Sequence, residues 1–208
     1  MGIRMVVMKI LVACEFSQVV TKAFRDRGHE AYSCDLLPTE GNPKWHFQGD
    51  VFKIANNPTI GWDMMIAHPP CTYLSSMGVW WNYKRPERWI LTYEALSFVK
   101  RLWDADIKMV AIENPIGYLS NNWMKPTQII HPWQHGQEFS KPTCLWTRNL
   151  PYILPTSIVG HGEFYTKANG TRMAKWSHIT SGTRKEERAK IASRTFQGIA
   201  DAMAEQWG

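Results

Sequence analysis

The sequence predicts an α/β chain built on a mostly parallel sheet, and three observations predict it. Short, continuous apolar runs occur at residues 10–14, 64–67 and 109–112, as expected of strands covered on both faces. Stretches with helical periodicity alternate with them, the order of elements in βαβ units. Each run then breaks into a polar or proline-bearing turn, where open α/β sheets carry their binding residues.

Taken in order, residues 9–14 are the opening strand. Residues 17–27 place Val19, Val20, Ala23 and Phe24 at helical spacing, with Gly28 as a C-cap. Residues 30–35 form the second strand, so the chain opens with a βαβ unit and right-handed crossovers are expected. A Pro- and Gly-rich loop leads to Gly49-Asp50-Val51, after a third candidate strand. Residues 62–67 are a further strand. Residues 89–105 form a long helix with Ile90, Leu91, Ala95, Phe98, Val99 and Leu102 on or near one face. Strands follow at 107–112 and 141–146, and residues 186–207 read as a terminal helix. Between 150 and 185 the pattern gives way to Pro, Gly and basic residues, including Lys167, Arg172, Lys175, Arg184 and Lys185. Irregular or small-β structure is expected there.

A chain of 208 residues fits one domain with, at most, a small appendage. Its net charge of +6 permits a nucleic-acid partner without requiring one. The four cysteines, Cys14, Cys34, Cys71 and Cys144, form no CxxC pair and suit neither a zinc ribbon nor a disulfide framework, so a reducing cytoplasm is expected. No apolar run approaches the roughly 18 residues of a membrane span, and residues 1–8 are too short for a signal peptide. His131 and His135 are four apart, but Pro132 between them argues against a helical metal pair, and no metal is expected. Eleven tryptophans are many for this length. Trp80, Trp81, Trp89, Trp133, Trp146 and Trp176 lie beside polar or basic residues, where exposed rings can stack on bases. Filling the core is the expected role of most of them.

Two motifs carry chemistry. In Met64-Met65-Ile66-Ala67-His68-Pro69-Pro70-Cys71 an apolar strand ends in a double proline and delivers a thiol to a rigid turn. In Met109-Val110-Ala111-Ile112-Glu113-Asn114-Pro115 a second strand ends in an acid. A nucleophile and an acid at strand ends on one sheet edge are what covalent attack on a ring with assisted protonation requires. The first turn, Ala13-Cys14-Glu15-Phe16-Ser17, lacks the GxGxxG that cradles a pyrophosphate, which argues against a dinucleotide. Asp35 can accept bonds from ribose hydroxyls and Asp50 from an adenine amino group; turn or capping roles remain open for both.

Over most of its length the chain resembles the DNA (cytosine-5) methyltransferases in their small bacteriophage- or prophage-encoded form. Pro69-Pro70-Cys71 matches that family's Pro-Cys nucleophile and Glu113-Asn114 its Glu-Asn motif. Ala13-Cys14-Glu15-Phe16-Ser17 stands at the aromatic/glycine cofactor loop, without its glycines. Cys34-Asp35 and Gly49-Asp50-Val51 stand at the next cofactor motifs, and residues 194–200 at the last helix, which returns beside the first motif. The Gln-x-Arg-x-Arg motif is missing; Lys141 is its nearest equivalent and Arg148 the second choice.

The resemblance implies a Rossmann-like, S-adenosylmethionine-dependent methyltransferase fold with a mostly parallel sheet and a very small target-recognition insertion. It implies a catalytic core over 1–150, a recognition segment over 151–185 and a returning C-terminal helix over 186–208. The implied activity is methyl transfer to C5 of cytosine in DNA through a Cys71 adduct at C6, with the target base flipped out of a duplex. Cys71, Glu113 and Lys141 are the catalytic candidates. Cys14, Glu15, Phe16, Ser17, Asp35, Leu36, Asp50, Pro69 and Thr195 are the candidates to hold S-adenosylmethionine. Pro70, Asn114, Arg148, Lys167, Arg172 and Lys175 are the candidates to hold substrate. An electropositive setting that favours the thiolate is expected around Cys71. Alternatives are a pyrimidine-modifying enzyme acting on free nucleotide or RNA, and a nucleic-acid-binding module without catalysis. An amino-methyltransferase is disfavoured, because His68 and Cys71 flank the prolines where Asp, Asn or Ser and an aromatic would be needed.

Overall fold

A computed structural model of the chain describes residues 6–168, 170–174, 190 and 193–208. Nine strands and six helices carry the description below: β1 (Lys9–Ala13), α1 (Val19–Arg25), β2 (Glu30–Asp35), β3 (His46–Gln48), α2 (Val51–Ala55), β4 (Met64–Ala67), α3 (Ser76–Trp80), α4 (Trp89–Trp103), β5 (Met109–Pro115), α5 (Tyr118–Asn122), β6 (Gln128–Ile130), β7 (Thr143–Arg148), β8 (Phe164–Thr166), β9 (Arg172–Ala174) and α6 (Gln197–Trp207).

Seven strands form one sheet in the order β3-β2-β1-β4-β5-β7-β6. The pairings from β3 through β5 are parallel, and β7 runs antiparallel to both β5 and β6. This is the mostly parallel α/β sheet that the alternating pattern predicts, in the Rossmann-like form that the resemblance implies. The chain builds outward from β1 to β3, then crosses back to place β4 on the other side of β1. That reversal opens a crevice outside the carboxyl ends of β1 and β4.

Both faces of the sheet are covered, which explains the continuous apolar strands. Leu11, Ala13, Met65 and Ala67 point into one core with Phe52, Val99, Leu102 and Leu119. Ile10, Val12, Met64 and Ile66 point into the other with Val20, Phe24, Ile199, Met203 and Trp207. Each fully buried Leu, Ile or Phe contributes about 1.5–3 kcal/mol. The second core is where α6 packs on α1. Gln206 exchanges two hydrogen bonds with the Leu154 backbone, at 2.7 and 2.9 Å, and Trp207 donates to Pro151 O at 3.0 Å.

Several boundaries differ from expectation. The strand expected at 107–112 extends to Pro115, and the one expected at 141–146 lies at Thr143–Arg148. Within 150–185, β8 and β9 form an antiparallel hairpin. Of the helix expected over 186–207, α6 begins at Gln197, since Phe196 is extended at its N-cap; residues 175–189, 191 and 192 lie outside the described residues. No described helix is long and apolar enough to cross a membrane.

Arg148 has a structural place. It ends the antiparallel β7 and pairs with Val110 at the amino end of β5, the edge of the sheet opposite the crevice. Its guanidinium donates to the carbonyls of Trp103, Ala105 and Ile107 at 2.7, 3.0 and 2.8 Å and lies over the Trp103 ring. It therefore clamps the α4–β5 turn and does not reach the crevice. Arg148→Met is expected to lower unfolding free energy by about 2–3 kcal/mol in a denaturant titration, because three carbonyls lose a charged donor. A change below about 0.5 kcal/mol would contradict the clamp.

Candidate active site

The parallel pairing of β4 with β5 ends with Ala67 opposite Ile112. The next residues, His68 and Glu113, therefore emerge side by side at the carboxyl edge. His68 Nδ1 lies 3.1 Å from Glu113 Oε2, and the Thr195 hydroxyl approaches the same nitrogen at 3.4 Å. His68 is buried, its amide donates to Ala13 O at 2.9 Å, and its Nε2 has no partner among the described residues.

Beyond His68 the two prolines turn the chain. Pro69 O accepts from the buried Asn114 side chain at 2.8 Å, which pins the turn to β5. Cys71 follows, exposed, with its carbonyl accepting from the amides of Leu74 and Ser75 at 3.0 and 2.9 Å. Two glycines let neighbouring backbone close on this loop. A Cβ at Gly78 would fall 2.1 Å from Thr72 O, and one at Gly117 would fall 2.1 Å from Leu74 O.

Two opposing influences act on Glu113. Burial pushes its carboxyl up, but the hydrogen bond and charge of His68, with the charge of Lys141, outweigh it and hold the carboxyl below its ordinary value. The Cys71 thiol is raised, first by the protein mass around it and then by the Glu113 carboxylate; Lys141 and a backbone hydrogen bond pull the other way. Because Cys71 itself is exposed, the Glu113 charge is the firmer of the two raising causes. The electropositive setting expected around Cys71 is thus not met: Lys141 acts on it, but the carboxylate on the same sheet edge prevails.

A cavity of about 400 Å³ lies in the crevice. It is lined by Cys14 after β1, Asp35 at the end of β2 and Leu36 after it, Gly49, Asp50 and Val51 after β3, and Ala95 and Phe98 of α4. Pro70, Thr72 and Tyr73 line it too, so the residues on both sides of Cys71 face the same space. Each acid has one oxygen committed: Asp35 Oδ1 accepts from Leu37 N and Asp50 Oδ1 from Phe52 N, both at 2.9 Å. The remaining oxygen of each makes no described hydrogen bond. Asp50 is thus both a helix cap and a cavity residue. Burial and the Asp35 charge raise the Cys14 thiol, and burial with Asp35 and Asp50 pushes Cys34 up to about 12, so both stay neutral.

Other candidates have other work. Glu15 is buried, and its carboxylate accepts from Val20 N at 2.7 Å, Thr21 N at 3.2 Å and the Thr21 hydroxyl at 2.6 Å. It satisfies the orphan amides at the start of α1. Phe16 is buried and its carbonyl anchors Thr39 and Glu40. Neither these two nor Ser17, Pro69 or Thr195 lines the cavity. Asn114 holds the proline turn, and Arg148 sits at the far edge. Lys141, two residues before β7, lies at the near edge because Thr143 pairs with Pro115. Lys167 and Arg172 are exposed on the β8–β9 hairpin, and Lys175 lies outside the described residues. His68 and the α4 lining residues are the positions the motif reading misses. The parallel register itself carries the signal for His68, since the β4–β5 pairing ends one residue before the contacting pair.

No family model matches the chain, and no curated protein matches it. Among solved structures, it is similar to an Escherichia coli prophage-encoded protein proposed to be a DNA modification methyltransferase, at 10% identity and a TM-score of 0.47, covering 74% of this chain. The chain spans about half that protein's length, 52%. The likeness is too distant to bear on activity.

His68 provides a direct test of the site's electrostatics. Glu113 is held low, so its stabilising contribution is present above the ordinary carboxylate range and lost as pH falls through the depressed value. His68→Phe removes two lowering influences and leaves burial. The Glu113 carboxyl is then expected to titrate higher, and its contribution to acid destabilisation to shrink. His68→Asn, which keeps a donor near the Nδ1 position, is expected to preserve most of the low value. Carbon-13 titration of the Glu113 carboxyl reads both; an unchanged midpoint in His68→Phe would rule out the pairing.

Proposed function

We propose that this chain is an S-adenosylmethionine-dependent methyltransferase that modifies C5 of cytosine in DNA through a Cys71 adduct. The observation that carries the reading is the shared space: residues flanking Cys71 line one cavity with two strand-end carboxylates, while Glu113 acts on the same thiol.

The cavity suits a nucleoside-type donor. It is apolar on the sides formed by Leu36, Val51, Pro70 and Phe98, with Asp35 and Asp50 as acceptors for ribose hydroxyls and an adenine amino group. It does not suit a pyrophosphate. The N-terminus of α1, where an anion would sit, is already filled by the Glu15 carboxylate. A donor with an adenosine but no phosphates meets both conditions.

When bound, S-adenosylmethionine supplies an electrophilic methyl group to C5. The chain's own residues make C5 nucleophilic. Cys71 gives its thiol proton to N3, where the Glu113 carboxylate accepts a hydrogen bond from it, and the thiolate adds to C6, breaking the ring's aromaticity and placing electron density on C5. Lys141 reaches O2. After transfer, water takes the C5 proton, the Cys71–C6 bond breaks, and the N3 proton returns to the departing thiolate, restoring the ring. The raised thiol fits this order of events. With no substrate, the Glu113 carboxylate disfavours a second negative charge beside it. Once Glu113 partners a ring proton, that charge is balanced, Lys141 remains, and the thiolate forms against the base it attacks. A cytosine in a duplex has to leave the stack to reach Cys71. Lys167, Arg172 and Lys175 in the proposed recognition segment then hold phosphates.

Bisulfite sequencing of DNA from cells expressing the chain is expected to show protected cytosines, and Cys71→Ser is expected to abolish them. Calorimetry with S-adenosylmethionine is expected to show binding that Asp35→Asn weakens by about 10- to 100-fold, the loss of one hydrogen bond to a charged group. Unprotected cytosines with the wild-type chain, or a flat titration, would overturn the reading.

A further inference from the structure

The segment after the catalytic loop exposes an aromatic surface that a folded core does not explain. Trp80 is 48% exposed, Trp81 44% and Tyr83 73%. The two indoles meet edge to face at 5.1 Å and still present themselves to solvent. Single exposed apolar residues are ordinary on a protein surface, but a contiguous group of large rings marks a binding face. Cations accompany the rings. Lys84 Nζ and the Arg85 guanidinium each lie 5.8 Å from an indole centroid, Trp80 and Trp81 respectively, and the Arg88 guanidinium lies 4.8 Å from the Tyr73 ring. Between 76 and 88 the sole acid is Glu87.

This face is held in fixed relation to Cys71. Gly78 seats α3 directly on the Thr72 carbonyl. Asn82 is fully buried and donates to the Thr92 hydroxyl at 2.8 Å, which in turn donates to Tyr73 O at 3.1 Å. A buried polar chain thus ties the aromatic segment to the loop carrying the thiol, and Tyr73 belongs to both the cavity lining and the cation-covered surface.

We infer that Trp80, Trp81 and Tyr83, with Lys84, Arg85 and Arg88, dock an unpaired stretch of DNA flanking the target cytosine. The inference rests on the methyltransferase reading for its target base and goes beyond it in naming the strand state. Bases within a duplex are stacked on each other and offer edges and phosphates; an exposed indole face can stack only on a base that has left the helix. Such stacking contributes about 1–3 kcal/mol per base, and interleaved cations follow the backbone. An unpaired target also escapes the few kcal/mol that extrusion from a duplex costs. A second copy of this chain fits the face less well, because a two-fold contact would set its own cations against each other.

The full chain, without methyl donor, is titrated with a cytosine-containing oligonucleotide of about 12 nucleotides, single-stranded or annealed to its complement. Single-stranded DNA is expected to bind at least about tenfold more tightly and to quench tryptophan fluorescence. The Trp80→Ala/Trp81→Ala variant is expected to lose that advantage while duplex binding and melting temperature hold. The Lys84→Gln/Arg85→Gln variant is expected to reduce the slope of log affinity against log salt by about 1.4. Equal or tighter duplex binding, single-strand affinity that survives loss of both indoles, or a dimer that the indole variant dissociates would each overturn the inference. Bisulfite analysis of both oligonucleotides with donor present separates the two readings. Single-strand docking with no cytosine modified in either strand state overturns the chemistry and leaves the surface standing. Modification of duplex alone, indifferent to the indoles, does the reverse.

Discussion

The register of two neighbouring parallel strands is the constraint on which the site depends. With Ala67 opposite Ile112, whatever follows β4 must meet the last residues of β5. The chain places His68 and then Pro-Pro-Cys after β4, and Glu113-Asn114-Pro115 at the end of β5, which runs on against β7. The carboxylate, imidazole and thiol come together because the β4–β5 ladder ends at that pair. A slip of one residue would also turn every buried side chain of β4 to the opposite core, so both cores enforce the alignment.

The same edge sets the electrostatic character of the site. A carboxylate near a thiol disfavours the thiolate, whereas a nucleophile that must ionise is often surrounded by positive charge. Here His68 and Lys141 both act on Glu113, holding it low despite burial. Reactivity of Cys71 is therefore tied to the state of Glu113. Selectivity among the thiols follows as well, since Cys34 is buried and Cys14 partly so, both under the Asp35 charge, and both stay protonated.

The first turn shows how one substitution redirects a common architecture. A helix N-terminus after the first strand of such a sheet is a ready anion site. Glu15 fills it from within the chain, while Cys14 and Gln18 adopt positive φ of 60° and 59° where glycine is the usual choice. The remaining crevice is lined by Asp35 and Asp50 together with apolar groups.

Much of this is legible in the linear chain. Continuous apolar runs separated by helical periodicity determine a parallel α/β sheet, because only strands covered on both faces have that pattern. The Pro-Pro-Cys and Glu-Asn-Pro endings determine that a thiol and an acid lie at strand ends, because the prolines stop each ladder there. The short elements β6, α3 and α5 escape such reading, since three to five residues show no period and their stability comes from packing. The direction of β7 escapes it too, and that direction decides that Lys141 stands at the site edge while Arg148 clamps the opposite one. Glu15 as helix cap, His68 as partner of Glu113 and the exposed indoles after Cys71 are likewise decisions of the tertiary structure. Each depends on which atoms lie within a few ångströms across the fold, and local residue preferences carry no information about that.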